Sequence, residues 1–528
     1  MRRTICVVLL SFSALLMQAQ DEALMRAARY LSGAGVDEEV PEEWVSALEA
    51  LWGRSVRINS ARVRSYDLLS DYQEASLADY RARNGDILSW EELALVDGFS
   101  REAVEALRPF LSLASDRNPG ASDDTVRIRA SVLLRATLNA VGAKGKAGGN
   151  HWRAGAAWRG KDGTFFGEWQ KGASRCLIGD YNLRFGQGLS LWSGFSMSSL
   201  STPDAFIRRS PGVSPVWSYT SASVHRGMAY EYSARHFRGL MFADLNRNLG
   251  LHADWLGRRA QLGLTLAHEG AFNLSLDGRM TLGRSLLAGE LACKNGSLAA
   301  LAALQANVGE HSRLAFQARV IPRRFSGKKN GEYTLAAGYA LRPTSAHEGS
   351  LTCEASLLPQ PGVDSRRLQV RVYTQWHSQL STRWTLSLRL TERYRNYEAS
   401  RTDFRADLLF GAAPWQACFR QEVVYCEKPG FLTYLEGGYK RGDWTGYLRL
   451  TGFFIDDWDA RIYCYERDAP GTFSVPAYYG RGLAAALVGN WKHRFKWFTI
   501  KAYIRGSYMI RNEREPTPAL NFQLQMEY

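Results

Sequence analysis

A chain of 528 residues has room for several domains and a sizeable core, which excludes a small scaffold held together by crosslinks. Aromatic content of 12%, 48 glycines and a negative mean hydropathy match a strand-rich protein with many short turns, and argue against a helical enzyme. The formal charge of +14 points to an anionic partner only where the basic residues gather in one place.

Residues 1–20, MRRTICVVLLSFSALLMQAQ, have the form of a secretory signal peptide. Arg2 and Arg3 give a positive start, Ile5 to Leu16 a short apolar core, and small or polar residues lead to Asp21. The core falls short of the roughly 20 apolar residues that a membrane helix needs. Cys6 sits inside it, away from any cleavage site, which argues against a lipoprotein. The mature chain is expected to begin near Gln20 or Asp21, outside the inner membrane. No later run is long and apolar enough for a membrane helix.

From 21 to 114 the apolar positions recur at three and four, as in Leu24, Ala27, Ala28 and Leu31, then Trp44, Leu48 and Leu51. This predicts a small all-α domain in the periplasm. Within it, residues 58–111 resemble the tandem helix-hairpin-helix of the competence protein family (ComEA-like). Ile58-Asn59-Ser60-Ala61 resembles that family's helix start, Tyr80-Arg81 with Asn84-Gly85 the end of its first unit, and Val96-Asp97-Gly98-Phe99 its second hairpin. The resemblance implies DNA contact through glycine-rich hairpins whose backbone N–H groups meet a phosphate. Here the first hairpin, Leu69-Ser70-Asp71-Tyr72, has no glycine and carries a carboxylate, and the second keeps only Gly98 beside Asp97. Residues 21–115 hold 18 Asp and Glu against 10 Arg, a net charge of −8, whereas non-specific DNA affinity comes from neutralised phosphates. The expected role is therefore contact with a periplasmic protein partner, or a cap beneath the rest of the chain. DNA is the alternative partner, with Arg54, Arg57, Arg62, Arg64 and Gly98 as its candidate contacts.

Residues 115–124, SDRNPGASDD, read as a polar linker, and beyond 125 the period changes to two. In 126–138 Val126, Ile128, Ala130, Val132, Leu134, Ala136 and Leu138 share one face; 384–393 and 498–510 repeat the pattern. The last strand alternates through Leu520, Phe522, Leu524 and Met526 to Tyr528. Strands of roughly 9–13 residues suit a tilted membrane crossing, whereas soluble strands average about 5–6. Trp152, Trp158, Trp169, Trp217, Trp255, Trp444 and Trp491 stand near strand ends, as interfacial girdles require. A final strand ending in an aromatic residue resembles the sorting signal of bacterial outer-membrane proteins. The expected fold is thus α+β and multidomain: signal peptide 1–20, helical domain 21–114, linker 115–124, and an antiparallel transmembrane β-barrel over 125–528. With both ends of the barrel on the periplasmic side the strand number must be even, and marking the segments places it between 20 and 26. With signal peptide, hairpin domain and barrel in this order, the layout resembles a group of uncharacterised outer-membrane proteins of Bacteroidetes-type bacteria. Outer-membrane lipid and lipopolysaccharide are the expected surroundings.

The barrel region carries a net +20, and inward-pointing candidates are Arg127, Arg129, Arg135, Arg371, Arg389, Arg393, Arg449 and Arg505. They predict either a lumen that attracts anions or a set of arginines paired with carboxylates across neighbouring strands. Segment 185–216 is too long and mixed for a turn and is expected to fold into the lumen as a plug or constriction exposing Arg208 and Arg209. Segment 468–482, rich in Pro, Gly and Tyr, reads as a second folded loop, and GAKGKAGGN (142–150) as a short one. Cys176, Cys293, Cys353, Cys418, Cys426 and Cys464 form no metal-ligand pattern, though spacing allows a Cys418–Cys426 disulfide. No cofactor, metal or catalytic motif is expected; His252 and Asp254 would share one strand face, a structural pair rather than an active site. Transport or assembly across the outer membrane is the leading expectation. A DNA-uptake channel and a structural anchor with a plugged lumen are the alternatives.

Overall fold

Helix 24–31, helix Asp71–Asn84 and the short helices Trp90–Leu93 and Arg101–Leu107 pack around Ala27, Leu48, Ile58, Leu77, Ile87, Leu93, Leu107 and Phe110. The computed structural model describes residues 24–31, 44, 48, 56–59, 68–69, 71–96, 98–99, 101–115, 128–149, 151–193, 200–208, 210, 212–219, 224–234, 236–257, 259–309, 311–326, 332–344, 346–359, 366–469, 474–495, 497–512 and 514–528. Gly85 ends the helix Asp71–Asn84 with φ +88, and its N–H bonds to Arg81 O at 3.0 Å, a left-handed cap that suits glycine. Ser89 and Glu92 satisfy backbone donors at the start of the helix Trp90–Leu93. Ser89 Oγ accepts from Glu92 N at 3.1 Å, and Glu92 Oε2 accepts from Leu88 N at 2.7 Å.

The domain is not all-α. Strands Val56–Asn59 and Leu111–Ser115 pair in parallel, with Val56 opposite Leu111, and so tie the start of the unit to its end. Asn59 clamps this junction: its side chain accepts from Ile87 N and donates to Ile87 O and Leu113 O at 2.7–2.9 Å. Runs of four and five residues are too short for periodicity to separate strand from helix, which is why they read as helical. Ser115 belongs to the second strand, and the rest of the expected linker lies outside the described residues.

The remainder closes into a 24-stranded antiparallel barrel, from Arg129–Thr137 to Arg514–Glu527, within the expected even range. Its first and last strands form the seam, from Thr137 opposite Asn521 to Ser131 opposite Glu527, and Ala130 and Tyr528 exchange two backbone bonds of 2.8 and 3.1 Å. An extra short strand, Gly212–Pro215, extends the pairing of Ser174–Arg184 beyond its partner His225–Ser233 and does not cross. Because the strand number is even, both ends of the barrel lie on one rim, here the near rim. The two longest connections, 185–224 and 456–479, leave from the far rim. GAKGKAGGN is not a loop but mostly strand, Val141–Gly148. Its glycines and lysines hid the alternation, in which Lys144 turns inward and buried while Val141 faces outward.

Three strands rising from the near rim place a tryptophan at their foot and another aromatic ring ten residues on: Trp384 and Tyr394, Trp415 and Tyr425, Trp444 and Phe454. All are exposed, as are Leu390, Leu448 and Leu450 between them. Ten residues rise about 33 Å along the strand, or about 25 Å in height at the ~40° tilt of a barrel strand. That is the height of a lipid-facing band with a girdle at each edge, and an apolar belt around a whole barrel has no other stable surroundings. Along this stretch of the near girdle the rings pair across neighbouring strands: Trp384 packs on Phe410, Trp415 on Tyr439 and Trp444 on Trp491, at 4.6–6.2 Å between ring centroids. Trp217 does not join it. Its indole N–H bonds inside the barrel to Gly145 O and Ala156 O at 3.2 Å. Cys418 and Cys426 are both free thiols; eight residues along one strand separate them by about 26 Å, far beyond a disulfide's reach.

Candidate functional site: the barrel lumen

Parity assigns the inner wall. Outward Leu262, Leu264 and Leu266 are exposed, and the residues between them are turned to the lumen. Strands Ser285–Lys294 and Ser297–Asn307, LLAGELA and LAALAALQA at heart, are apolar on both faces because the inner face is covered too. Leu286, Ala288, Leu301 and Ala303 bury Ile207 and Leu189 of the long connection 185–224, while Phe206 sits against Ala315 and Ala336. A Cβ at Gly338 would stand 3.1 Å from the Phe206 ring, so the missing side chain there makes the seat.

Glu290 is the polar fastening. Its carboxylate accepts from Gln187 N (2.6 Å), Leu189 N (3.1 Å), Ser190 N (2.9 Å) and Ser275 Oγ (2.9 Å). Gly186 makes the approach with φ +62; a Cβ there would meet the Glu290 carboxylate at 2.7 Å. Arg279 donates to Arg208 O and Ser210 Oγ at 2.7 Å, Gln305 to Pro203 O and Gln317 to Phe206 O at 2.7 Å. The returning leg crosses to the first strands, where Lys144 stands 5.0 Å from the Trp217 ring and 4.6 Å from that of Tyr219. The described residues of 186–219 therefore line one side of the lumen.

The connection 456–479 does the same elsewhere. Ala460, Ile462, Cys464 and Tyr478 pack on the inward Cys418, Val424, Leu432, Tyr434, Phe453 and Ile455. Glu466 receives Tyr478 Oη at 2.5 Å and pairs with Arg505; Asp468 receives Asn521 Nδ2 at 2.7 Å; Glu436 binds Arg449 and Arg467 at 2.6–2.9 Å. Burial pushes the Cys464 thiol up to about 12, so it stays protonated.

Between these two covers no described connection covers the inner wall. Along Arg366–Gln379 and Trp384–Arg395 the inward Arg371, Tyr373, Gln375, Arg389, Thr391 and Arg393 are all half-buried, unlike the sealed Glu290 or Ala303. Register sets Glu354, Arg371, Arg393 and Arg401 in one row, with Arg371 directly opposite Arg393. Arg401 is occupied by Asp403 (2.9 and 3.0 Å) and by the carbonyls of Asp459 and Arg461, and Arg395 by Gln369 and Glu398. Arg371 and Arg393 make no hydrogen bond or ion pair to any described residue, and Arg393 Nε is buried without a partner.

The sequence candidates thus part company. Arg135 is buried and donates to Gln523 Oε1 at 2.5 and 2.9 Å; Arg449 and Arg505 are locked in pairs with Glu436 and Glu466; Arg389 lies 5.3 Å from the Tyr373 ring; Arg129 stands exposed near the near rim. The Arg208 guanidinium lies 5.2 Å from the Trp192 ring. Arg57 sits in the strand Val56–Asn59, and Gly98, at φ +84, has its carbonyl taken by Gln73 Nε2 at 2.9 Å. Arg54, Arg62, Arg64, Arg127 and Arg209 lie outside the described residues. His252 and Asp254 do share the lumen face, with His252 Nε2 3.0 Å from Asp254 Oδ1; the ring of Phe185 covers His252 at 3.9 Å and Arg238 holds Asp254 at 2.6 Å. Glu290, Glu436 and Glu466 escaped the sequence reading, although one acidic residue inside an otherwise apolar strand, Glu290, was a usable signal.

No family model matches the sequence, and no curated protein matches it either. Among solved structures the chain is similar to OprD of Pseudomonas aeruginosa, with 10% identity over 76% of this chain and 94% of that one, at a TM-score of 0.33. It is similar to OccK3 of the same organism, with 10% identity over 76% and 95% and a TM-score of 0.32. For the copper transporter OprC the values are 8% identity, 76% and 80% coverage, and a TM-score of 0.40.

Proposed function

We propose that the protein is an outer-membrane channel for small polar solutes, its lumen narrowed by two inward-folded connections and its helical domain standing at the periplasmic mouth. The observation that carries this reading is the contrast between walls. Beneath the two connections the inner face is sealed by packed chain, and over Arg366–Arg395 it stays polar and half-exposed. A plugged anchor has no use for an uncovered, charged strip. The signal-like start and the shared rim of both barrel ends support a periplasmic near rim. The helix-hairpin-helix likeness of residues 58–111, together with the acidic balance of that domain, supports a protein-contact role there rather than DNA binding. Lipid and lipopolysaccharide would meet the apolar belt and its girdles.

The test is single-channel conductance of the purified protein in planar bilayers, intact and with 186–210 replaced by a short turn. Small, steady steps in the intact protein and several-fold larger ones after replacement are expected. Silence from both proteins would overturn the channel reading.

A further inference from the structure

We infer that Arg371 and Arg393 form a binding step for a small oxyanion, a carboxylate or phosphate group, on the uncovered wall; the inference rests on the channel reading and names the solute class. Two like charges directly opposite on neighbouring antiparallel strands destabilise the pair unless something stands between them. Elsewhere on the inner wall arginines are met by carboxylates: Glu168 for Arg175, Asp407 for Arg420, Glu436 for Arg449, and Asp407 also for Arg405, which stands opposite Arg389. At this pair they are not. Glu354, opposite Arg371 on its other side, forms no ion pair with it and accepts instead from Ser356 Oγ at 3.1 Å; Asp403 is taken by Arg401. Arg395 and Arg401, the flanking cations, are likewise occupied.

Two half-exposed guanidinium forks, side by side and without an acceptor among the described residues, match the planar, bidentate geometry of carboxylate and phosphate oxygens. Tyr373 and Thr391, opposite one another two positions along the same strands, add hydroxyl groups on the same face. The half-exposed setting keeps the bond weak enough for release, as passage requires.

The full chain in detergent is titrated with sodium phosphate, and separately with sodium succinate, at constant ionic strength set by chloride, and its thermal unfolding is followed. A saturable rise in Tm is expected for the native protein with at least one of the two anions. It should weaken more than tenfold in Arg371→Gln/Arg393→Gln, which removes both charge-assisted forks. Arg129→Gln, at the near rim, should leave it unchanged. Arg371→Lys/Arg393→Lys keeps the charge without the fork, and serves if the glutamine variant fails to fold; it should bind several-fold more weakly. No saturable rise in the native protein, or an equal rise in the folded variants, would overturn the inference. A shift with phosphate alone or succinate alone identifies which oxyanion is read. Because binding is measured apart from current, a silent protein that binds phosphate would sink the channel reading and leave the site standing.

Discussion

Glu290 is surrounded by donors that have been turned toward it by the chain around Gly186, and its removal leaves the buried N–H of Gln187 and the half-buried N–H groups of Leu189 and Ser190 without their acceptor. Each orphaned buried donor costs roughly 1–3 kcal/mol. Glu290→Ala should therefore free residues 186–190 from the wall long before it unfolds the barrel, whose strands are paired independently. The expected outcome is a flickering, enlarged conductance with a nearly unchanged barrel unfolding temperature. A quiet channel of native size would show that the apolar seat of Phe206 and Ile207 holds the connection by itself.

Among the elements, the connection 456–479 is held by a different mixture. Its apolar side chains fill a pocket of inward strand residues, and its carboxylates meet arginines that the strands hold ready. Breaking one side of a buried ion pair is costlier than the pair is worth, because the remaining charge is stranded. Arg505→Ala strands Glu466 and should loosen the element as a whole. Cys464 reports on this directly: buried and held as a thiol, it should resist a water-soluble maleimide in the native protein and label at least tenfold faster in Arg505→Ala. Peptide mass mapping checks the site. Equal labelling in both proteins would mean that the element does not depend on that pair.

On the scale of the whole molecule, closure depends on the last strand. Residues 521–527 pair with 131–137, and Tyr528 adds two backbone bonds to Ala130. Truncation after Ala519 should leave two open edges and abolish the heat-modifiable migration of the folded barrel on gels. Removing 21–115 should not. Of the contacts between that domain and the barrel, the ion pair of Arg259 with Asp79 at 2.5 Å is largely exposed, and such pairs are worth about 0–1 kcal/mol. A barrel that fails to form without 21–115 would make the helical domain part of the folding unit rather than an attached module.

The fold of the larger part was legible because alternation of period two is imposed residue by residue: Trp384, Leu386, Leu388 and Leu390 must meet lipid, and the residues between them must not. Closure follows from the bilayer's refusal of open strand edges, and the even strand number from both barrel ends lying on one side of the membrane. Alternation failed in two informative places. At Val141–Gly148 small and basic residues masked a strand, and along Ser285–Asn307 the inner face was apolar for a reason that lies far back along the chain, in Leu189 and Ile207. The parallel pairing of Val56–Asn59 with Leu111–Ser115 was hidden for the same reason, since a partner fifty residues off leaves no mark on four residues. By itself, then, the sequence determined which residues face lipid and that the rest enclose a basic lumen, because those choices are local and repeat at every strand. Only the tertiary structure decided which arginines meet carboxylates, which wall is sealed and which stays open, because cross-strand register and two inward-folded connections bring together residues that no spacing along the chain relates.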